Sequence, residues 1–315
     1  MKRSFTLLLS LSVISSFAWS APQTKKVSNT EVVETRSDFQ KFSDRLKIGY
    51  FGVVTSPHLE DIENGHWENA GISPEFGMAG SGEGKNRDTW PTNIWHQLSF
   101  NYNFGAKMNF VFNPRFMTPL AHPVDMKKPE DRSLIALEDF LVGFQGVVVS
   151  DEAKKLNLWI RPAIRLPTSR LSRNNPNAGF GKLTHQNELA YNLTYDFTKT
   201  FQVSLFGQLR QWIYEDRYNL SRFRISTSPN FTIGIDETTR FQVYYNNMLE
   251  NNKRHKSING KDPVFKDVWQ GLQVGINKDV TKKLNVYPYV EYFVNDVPLS
   301  MKSAYIGAWI SYQIK

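Results

Sequence analysis

Cysteine is absent from this 315-residue chain. Without a thiol, the protein cannot carry a lipid-modified N-terminal cysteine, and it needs no disulfide to fold outside the cytoplasm. Long apolar runs are also scarce, because beyond the first twenty residues no stretch approaches the ~18 continuous apolar residues of a membrane-spanning helix. These two absences exclude lipoproteins and disulfide-stapled secreted domains, and they leave the first twenty residues as the one candidate for a membrane anchor, the alternative to a cleaved signal.

The first twenty residues have the pattern of a secretory signal. A basic start and an apolar stretch from Phe5 to Phe17 precede Ala18 and Ser20, which are the small residues that a signal peptidase requires. We expect cleavage before Ala21, followed by a polar periplasmic arm over residues 21–44. Removing the two basic residues of this segment leaves 36 basic and 30 acidic residues, which lowers the formal net charge from +8 to +6.

The last twelve residues, AYIGAWISYQIK (304–315), alternate between two kinds of side chain. One set is apolar or aromatic and the other is small, amphipathic or polar; the members of the two sets are Ala304, Ile306, Ala308, Ile310, Tyr312 and Ile314 against Tyr305, Gly307, Trp309, Ser311 and Gln313. A period of two indicates a β-strand whose two faces meet different environments.

The same alternation recurs along the chain in about twelve segments. They are residues 46–54, 94–104, 108–116, 138–149, 156–166, 183–197, 201–214, 223–235, 240–248, 267–277, 284–293 and 304–315. Short connections such as GAK and TKT alternate with long ones, at 55–93, 117–134, 167–182, 215–222, 249–266 and 294–303. This asymmetry predicts an all-β, antiparallel, up-and-down transmembrane β-barrel over residues 45–315, with a soluble all-β protein as the alternative.

Over residues 46–315 the chain resembles Gram-negative outer-membrane β-barrel proteins. Members of this class carry a cleaved signal, alternate apolar-out and polar-in residues, and usually end on an aromatic residue, whereas here Tyr312 is followed by Gln313, Ile314 and Lys315. The resemblance implies an outer-membrane location, with both termini in the periplasm. It also implies outer-membrane lipid, lipopolysaccharide and the barrel-assembly machinery as partners, with no cofactor.

The face opposite the apolar one is predicted to line the lumen, and it carries more basic than acidic residues. The basic members are Lys47, Arg115, Arg161, Arg165, Arg210, Arg224 and Arg240, and the acidic members are Asp139, Glu188 and Glu291. Charges on the lipid face would cost roughly 2–4 kcal/mol each near the midplane, so their absence from that face supports the assignment. A basic lining predicts a porin-like channel for small, preferentially anionic solutes.

A closed barrel is the alternative, because the same arginines can be held in ion pairs with the three acidic residues. An ~8-stranded barrel fills its interior with side chains and a ~16-stranded one leaves a channel, so twelve strands do not decide between the two. Function would then lie in the long extracellular loops, or the arm 21–44 would fold into the lumen.

An outer-membrane hydrolase is the third hypothesis. A barrel lipase needs a serine beside a histidine, but His96 and His185 lie on the outward parity and are followed two residues later by Leu98 and Asn187. The loop segment HLEDIENGHWE (58–68) has no recognised metal-ligand spacing.

Nucleic acid is not expected as a partner, because the arginines are spread over many strands and are not grouped with stacking aromatic residues. Five tryptophans fall near strand ends, where interfacial girdles are predicted; they are Trp67, Trp90, Trp95, Trp212 and Trp269.

Overall fold

The computed structural model describes residues 38–59, 93–105, 107–119, 137–168, 183–214, 222–251, 265–294 and 304–315. The chain divides into two units, residues 1–40 and residues 41–315, and the second contains all of the strands. The predicted signal, the arm up to residue 37 and most of each long connection lie outside the described residues. Among the described residues, no helix is long and apolar enough to cross a membrane.

One helix and twelve strands make up the described chain. The helix, α1, is Asp38–Arg45. The strands are β1 Leu46–His58, β2 Asn93–Asn103, β3 Met108–Pro119, β4 Leu137–Asp151, β5 Leu156–Pro167, β6 Leu183–Asp196, β7 Phe201–Tyr214, β8 Arg222–Gly234, β9 Thr239–Asn251, β10 Phe265–Asp279, β11 Leu284–Phe293 and β12 Ala304–Gln313. The predicted number of strands is confirmed; two predicted segments coincide with strands, and the other ten differ by one to four residues at one or both ends.

The strands form a closed antiparallel barrel in which every strand pairs with its neighbours in sequence and β1 pairs with β12. Val53 lies opposite Trp309 in the closing pair, and Tyr50 lies opposite Tyr312. The short connections between β2 and β3, β4 and β5, β6 and β7, β8 and β9, and β10 and β11 share one end of the barrel, which we call the turn end. The opposite end, where the long connections begin and finish, is the loop end.

The two parities of the strands meet different environments, as the period of two predicts. Large apolar side chains are exposed on the outer face, among them Phe144, Ile164, Leu166, Leu189, Leu193, Phe231, Ile233, Ile276 and Ile306. Polar side chains are buried inside, among them Asn113, Ser204, Gln208, Ser226, Ser228, Asn230, Thr232, Asn246 and Gln273. An apolar outside and a polar inside on a closed twelve-stranded barrel are the architecture of outer-membrane β-barrels, which confirms the predicted fold class.

The helix α1 differs from the aperiodic arm predicted over residues 21–44. Eight residues are too few for a stable isolated helix, so contacts with the barrel must hold it. The ring of Phe42 stacks on Tyr102, with 5.1 Å between centroids, and Nζ of Lys315 donates a hydrogen bond to the backbone oxygen of Ser43 at 2.7 Å. Sequence periodicity does not reveal such contacts, because they join segments that are far apart in the chain.

Candidate functional site

Seven charged side chains of β3 to β8 form a belt inside the barrel; six lie in the half nearer the loop end and Arg161 lies at the middle of β5. We call it the charged layer; its members are Arg115, Asp139, Arg161, Arg165, Glu188, Arg210 and Arg224. Six of the seven are buried, with 2–7% of each residue exposed, and Arg161 is the exception. Among the described residues, the layer brings together five guanidinium groups and two carboxylates, a formal excess of three positive charges.

Asp139 joins two arginines on neighbouring strands. Nη1 of Arg115 lies 3.0 Å from both carboxylate oxygens of Asp139, and Nη1 of Arg165 lies 3.5 Å from one of them. Charge-assisted hydrogen bonds of this kind are roughly twice as strong as neutral ones. The carboxylate therefore fixes the rotamers of both guanidinium groups.

Glu188 lies at the centre of a second group of three arginines. Its Oε1 accepts a hydrogen bond from Nη2 of Arg161 at 2.8 Å. Its Oε2 accepts hydrogen bonds from Nε of Arg210 at 3.2 Å and from Nε of Arg165. The register explains this convergence, because Glu188 pairs directly with Arg210 on β7 and with Ala163 on β5, and Ala163 stands between the two other arginines.

Indole rings support three of the guanidinium groups. The guanidinium carbons of Arg115 and Arg224 lie 4.4 Å and 5.1 Å from the ring centroids of Trp95 and Trp212. The same carbon of Arg161 lies 5.6 Å from the ring centroid of Trp159. Cation–π contacts contribute about 2 kcal/mol or more when the pair is desolvated.

The girdle prediction is wrong for Trp95 and Trp212. Both rings are buried inside the barrel, at 4% and 5% exposure. The alternation in the sequence already indicates the interior position of Trp95, because this residue shares its parity with Gln97 and Ser99 on the polar face of β2. Trp67 and Trp90 lie outside the described residues, as does the side chain of Trp269.

An aromatic wall lies on the other side of the interior, on β9, β11 and β12. Its rings are Tyr244, Tyr287, Tyr289, Tyr305 and Trp309. The ring centroid of Tyr287 lies 5.2 Å from that of Trp309 and 5.8 Å from that of Tyr244. The barrel interior is therefore two-sided, with cations on one wall and aromatic rings on the other.

Glu291, predicted as a counter-charge to the arginines, belongs to this aromatic wall. It lies on β11, six strands from β5 around the closed barrel. Its carboxylate accepts hydrogen bonds from the hydroxyl of Tyr305 and, at 3.1 Å, from the amide of Asn246. Asn246 in turn lies 3.2 Å from the side-chain oxygen of Gln273, so the carboxylate is part of a buried polar network.

Lys47 and Arg240 lie near the turn end and apart from the charged layer. Lys47 is exposed, and Nη2 of Arg240 pairs with Asp279 at 3.0 Å with 41% of the arginine side chain accessible. A cavity of about 280 Å³ opens beside this pair, lined in part by Asp279, Asn285 and Ser311. The charged side chains at the turn end are therefore more exposed than those of the charged layer, which are mostly buried.

The outward histidines have neighbours of their own. The hydroxyl of Tyr50 lies 2.8 Å from Nδ1 of His96, whose ring stacks on Phe116 with centroids 4.5 Å apart. In the described part of the chain, no group of three or more potential metal ligands lies together. His66, His122 and His255, and the side chain of His58, lie outside the described residues.

No family model matches the chain, and no curated protein matches it. Solved structures with a similar fold include the NanC porin, at 9% identity and a TM-score of 0.46, covering 85% of this chain and 99% of that one. An outer membrane channel from Pseudomonas putida F1 is 9% identical, with a TM-score of 0.48, over 85% and 94% of the two chains. The KdgM porin in complex with disordered oligogalacturonate is 8% identical, with a TM-score of 0.43, over 85% and 99%. At these identities the likeness is one of fold.

Proposed function

We propose that this protein is a porin-like channel of the outer membrane for the passive passage of small solutes, with a preference for anions. The observation that carries the proposal is the charged layer, where five guanidinium groups and two carboxylates meet inside the barrel. A row of fixed cations in a passage with low-dielectric walls raises the local concentration of anions.

The polar side chains between the turn end and the layer supply a route to it. The short turns of outer-membrane barrels face the periplasm, so the cavity at the turn end, which lies between the turn 280–283 and strands β1 and β12, would open to the periplasm; we call it the vestibule. Interior residues on that side, such as Asn101, Gln145 and Gln202, are only partly buried and hydrogen-bonded to one another or to neighbours. A hydrated anion can exchange water for these groups before it meets the guanidinium forks.

Burial of the charged layer favours a second candidate, a closed barrel with its function at the surface. Arg115, Arg165 and Arg210 are each 4% exposed or less, so the layer fills this part of the interior in the present conformation. In a channel, the ion pairs must rearrange when a solute passes. In a closed barrel they are permanent cross-links between β3 and β7.

Single-channel conductance of the refolded mature protein in a planar bilayer under a salt gradient separates the two candidates. Stable steps with an anion-selective reversal potential are the result expected of a channel. A correctly folded, heat-modifiable barrel that never conducts would instead support the closed scaffold.

Two arginine variants then test the lining. Arg161→Gln should weaken anion selectivity, because this arginine is the most accessible of the layer. Arg240→Gln is the matched control, since it removes a cation near the turn end that lies outside the charged layer. Equal selectivity in the wild type and Arg161→Gln would show that the charged layer does not determine the anion selectivity.

The apolar outer face supports a location in lipid, and the proposal extends to lipopolysaccharide around the loop end and to the barrel-assembly machinery as the insertion route. Loss of insertion into vesicles after Tyr312→Ser and Ile314→Ser would support the terminal strand as the assembly signal. Unchanged insertion would contradict it.

A further inference from the structure

We infer that Glu188 is a resident carboxylate occupying a carboxylate-binding site formed by Arg161, Arg165 and Arg210, and that small carboxylates entering the lumen compete with it for this site. The inference deepens the proposed function by naming the class of anion, and it rests on that proposal for its role in passage. Its test measures stability rather than conduction, so that the two can fail separately.

The contacts of Glu188 are those of a bound carboxylate. Both oxygens are engaged, Oε1 by Arg161 and Oε2 by Arg165 and Arg210, and the side chain has no exposed surface. Arginine forks are the side chains best suited to bind a carboxylate through parallel N–H groups. A free carboxylate in the same place would find the same donors.

The site has more donors than Glu188 uses. A guanidinium group has five N–H donors, and among the described residues Arg161 and Arg210 each direct a single one to Glu188. Nε of Arg161 is buried without a hydrogen-bond acceptor in the described part of the chain. Three guanidinium groups can therefore bind a second carboxylate through N–H donors that Glu188 does not use.

Arg161 provides the approach to the site. Its side chain is 16% exposed, against 3% for Arg165 and 5% for Arg210. It also precedes Arg165 on the path from the turn end, because β5 begins there at Leu156. A solute that enters through the vestibule thus meets Arg161 first, and the Arg161–Glu188 bond is the one that opens first.

Chemical rescue of Glu188→Ala tests the inference. Truncation leaves a cavity of acetate size among three guanidinium groups, and we expect the melting midpoint of the folded barrel to fall by roughly 10 °C. Sodium acetate should restore several degrees, with a midpoint that rises with the logarithm of its concentration. Acetamide, which has the same shape and no charge, should not restore it.

Two variants serve as controls. Glu188→Gln keeps the volume of the side chain, so acetate has no cavity to enter and should act on it no more than sodium chloride does. Glu188→Ala combined with Arg161→Ala should need roughly tenfold more acetate for half of the effect, because one charge-assisted bond is lost.

Equal stabilisation of Glu188→Ala by acetate and acetamide would overturn the inference. A Glu188→Ala chain that refolds neither with acetate nor with acetamide would also overturn it, because a free carboxylate is expected to replace the missing one. Rescue by acetate in a barrel that never conducts would support the carboxylate-binding site and contradict only the proposed channel function.

Discussion

The guanidinium carbon of Arg115 lies 4.4 Å from the ring centroid of Trp95, inside the barrel. The indole ring holds the guanidinium plane while Nη1 reaches both oxygens of Asp139. Tryptophan usually lies at the membrane interface of such barrels, but Trp95 lies in the interior and positions a cation there. Because Trp95 lies inside the barrel, its location can be tested by fluorescence quenching from the lipid.

Brominated lipids should not quench Trp95 or Trp212, because both rings are buried behind the barrel wall. Replacing either by phenylalanine should leave the quenched fraction of the remaining fluorescence unchanged or higher. Phe144→Trp, at an outward position that is 45% exposed, is the positive control and should add a strongly quenched component. A fall in the quenched fraction after Trp95→Phe would place that ring in the lipid and contradict the interior assignment.

Arg165→Ala should destabilise the barrel more than Arg161→Ala. Arg165 contacts both Asp139 and Glu188, so its loss leaves two buried carboxylates with fewer partners, at a cost of about 3–5 kcal/mol. Arg161 contacts one carboxylate and is partly exposed, and we expect a loss of roughly 1–2 kcal/mol. Urea unfolding in lipid vesicles measures both free energies, and equal losses would show that the carboxylates do not depend on Arg165.

Gly307→Ala should destabilise the barrel by about 1–3 kcal/mol through overpacking. A Cβ on Gly307 would overlap Cζ of Tyr289, a ring atom held inside the aromatic wall. Gly49→Ala is the matched control, since the nearest atom to its Cβ would be the backbone oxygen of Tyr312 at 3.6 Å. The double variant with Tyr289→Ala should lose less than the sum of the single variants, and strict additivity would refute the steric cause.

Asp236, in the turn between β8 and β9, should contribute stability that disappears in acid. A hydrogen bond from the backbone N–H of Thr238, at 2.8 Å, and hydroxyl donors of Thr238 and Thr239 lower its pKa to about 2. Because the folded-state pKa is lower than the unfolded one, this stability is complete above about pH 4 and is lost as the pH falls towards 2.

Melting midpoints of the wild type and Asp236→Asn should therefore differ at pH 6 and converge near pH 2. Glu237→Gln, at the next position of the turn, controls for the general loss of one negative charge. A difference that stays constant from pH 6 to pH 2 would show that the titration of Asp236 is not its cause.

Strand positions can be predicted from this sequence because barrel geometry is encoded locally. The predicted segments 201–214 and 284–293 coincide with β7 and β11, since alternation and a short turn fix where such a strand lies. The predicted end of β1 falls four residues short, because Thr55 to His58 do not alternate and owe their extended form to pairing with β12. Helix α1 escapes prediction for a similar reason, as its support comes from Tyr102 and Lys315.

The sequence by itself determined the class of this protein and which face of each strand is inside, because side chains of a strand alternate between two faces only. Tertiary structure decided which interior charges meet. Glu188 reaches three arginines because the stagger of β5, β6 and β7 sets it level with Arg210 and between Arg161 and Arg165, whereas Glu291 lies across the barrel among tyrosines. Parity is a property of one strand, but the partner of a buried charge depends on the register of its neighbours.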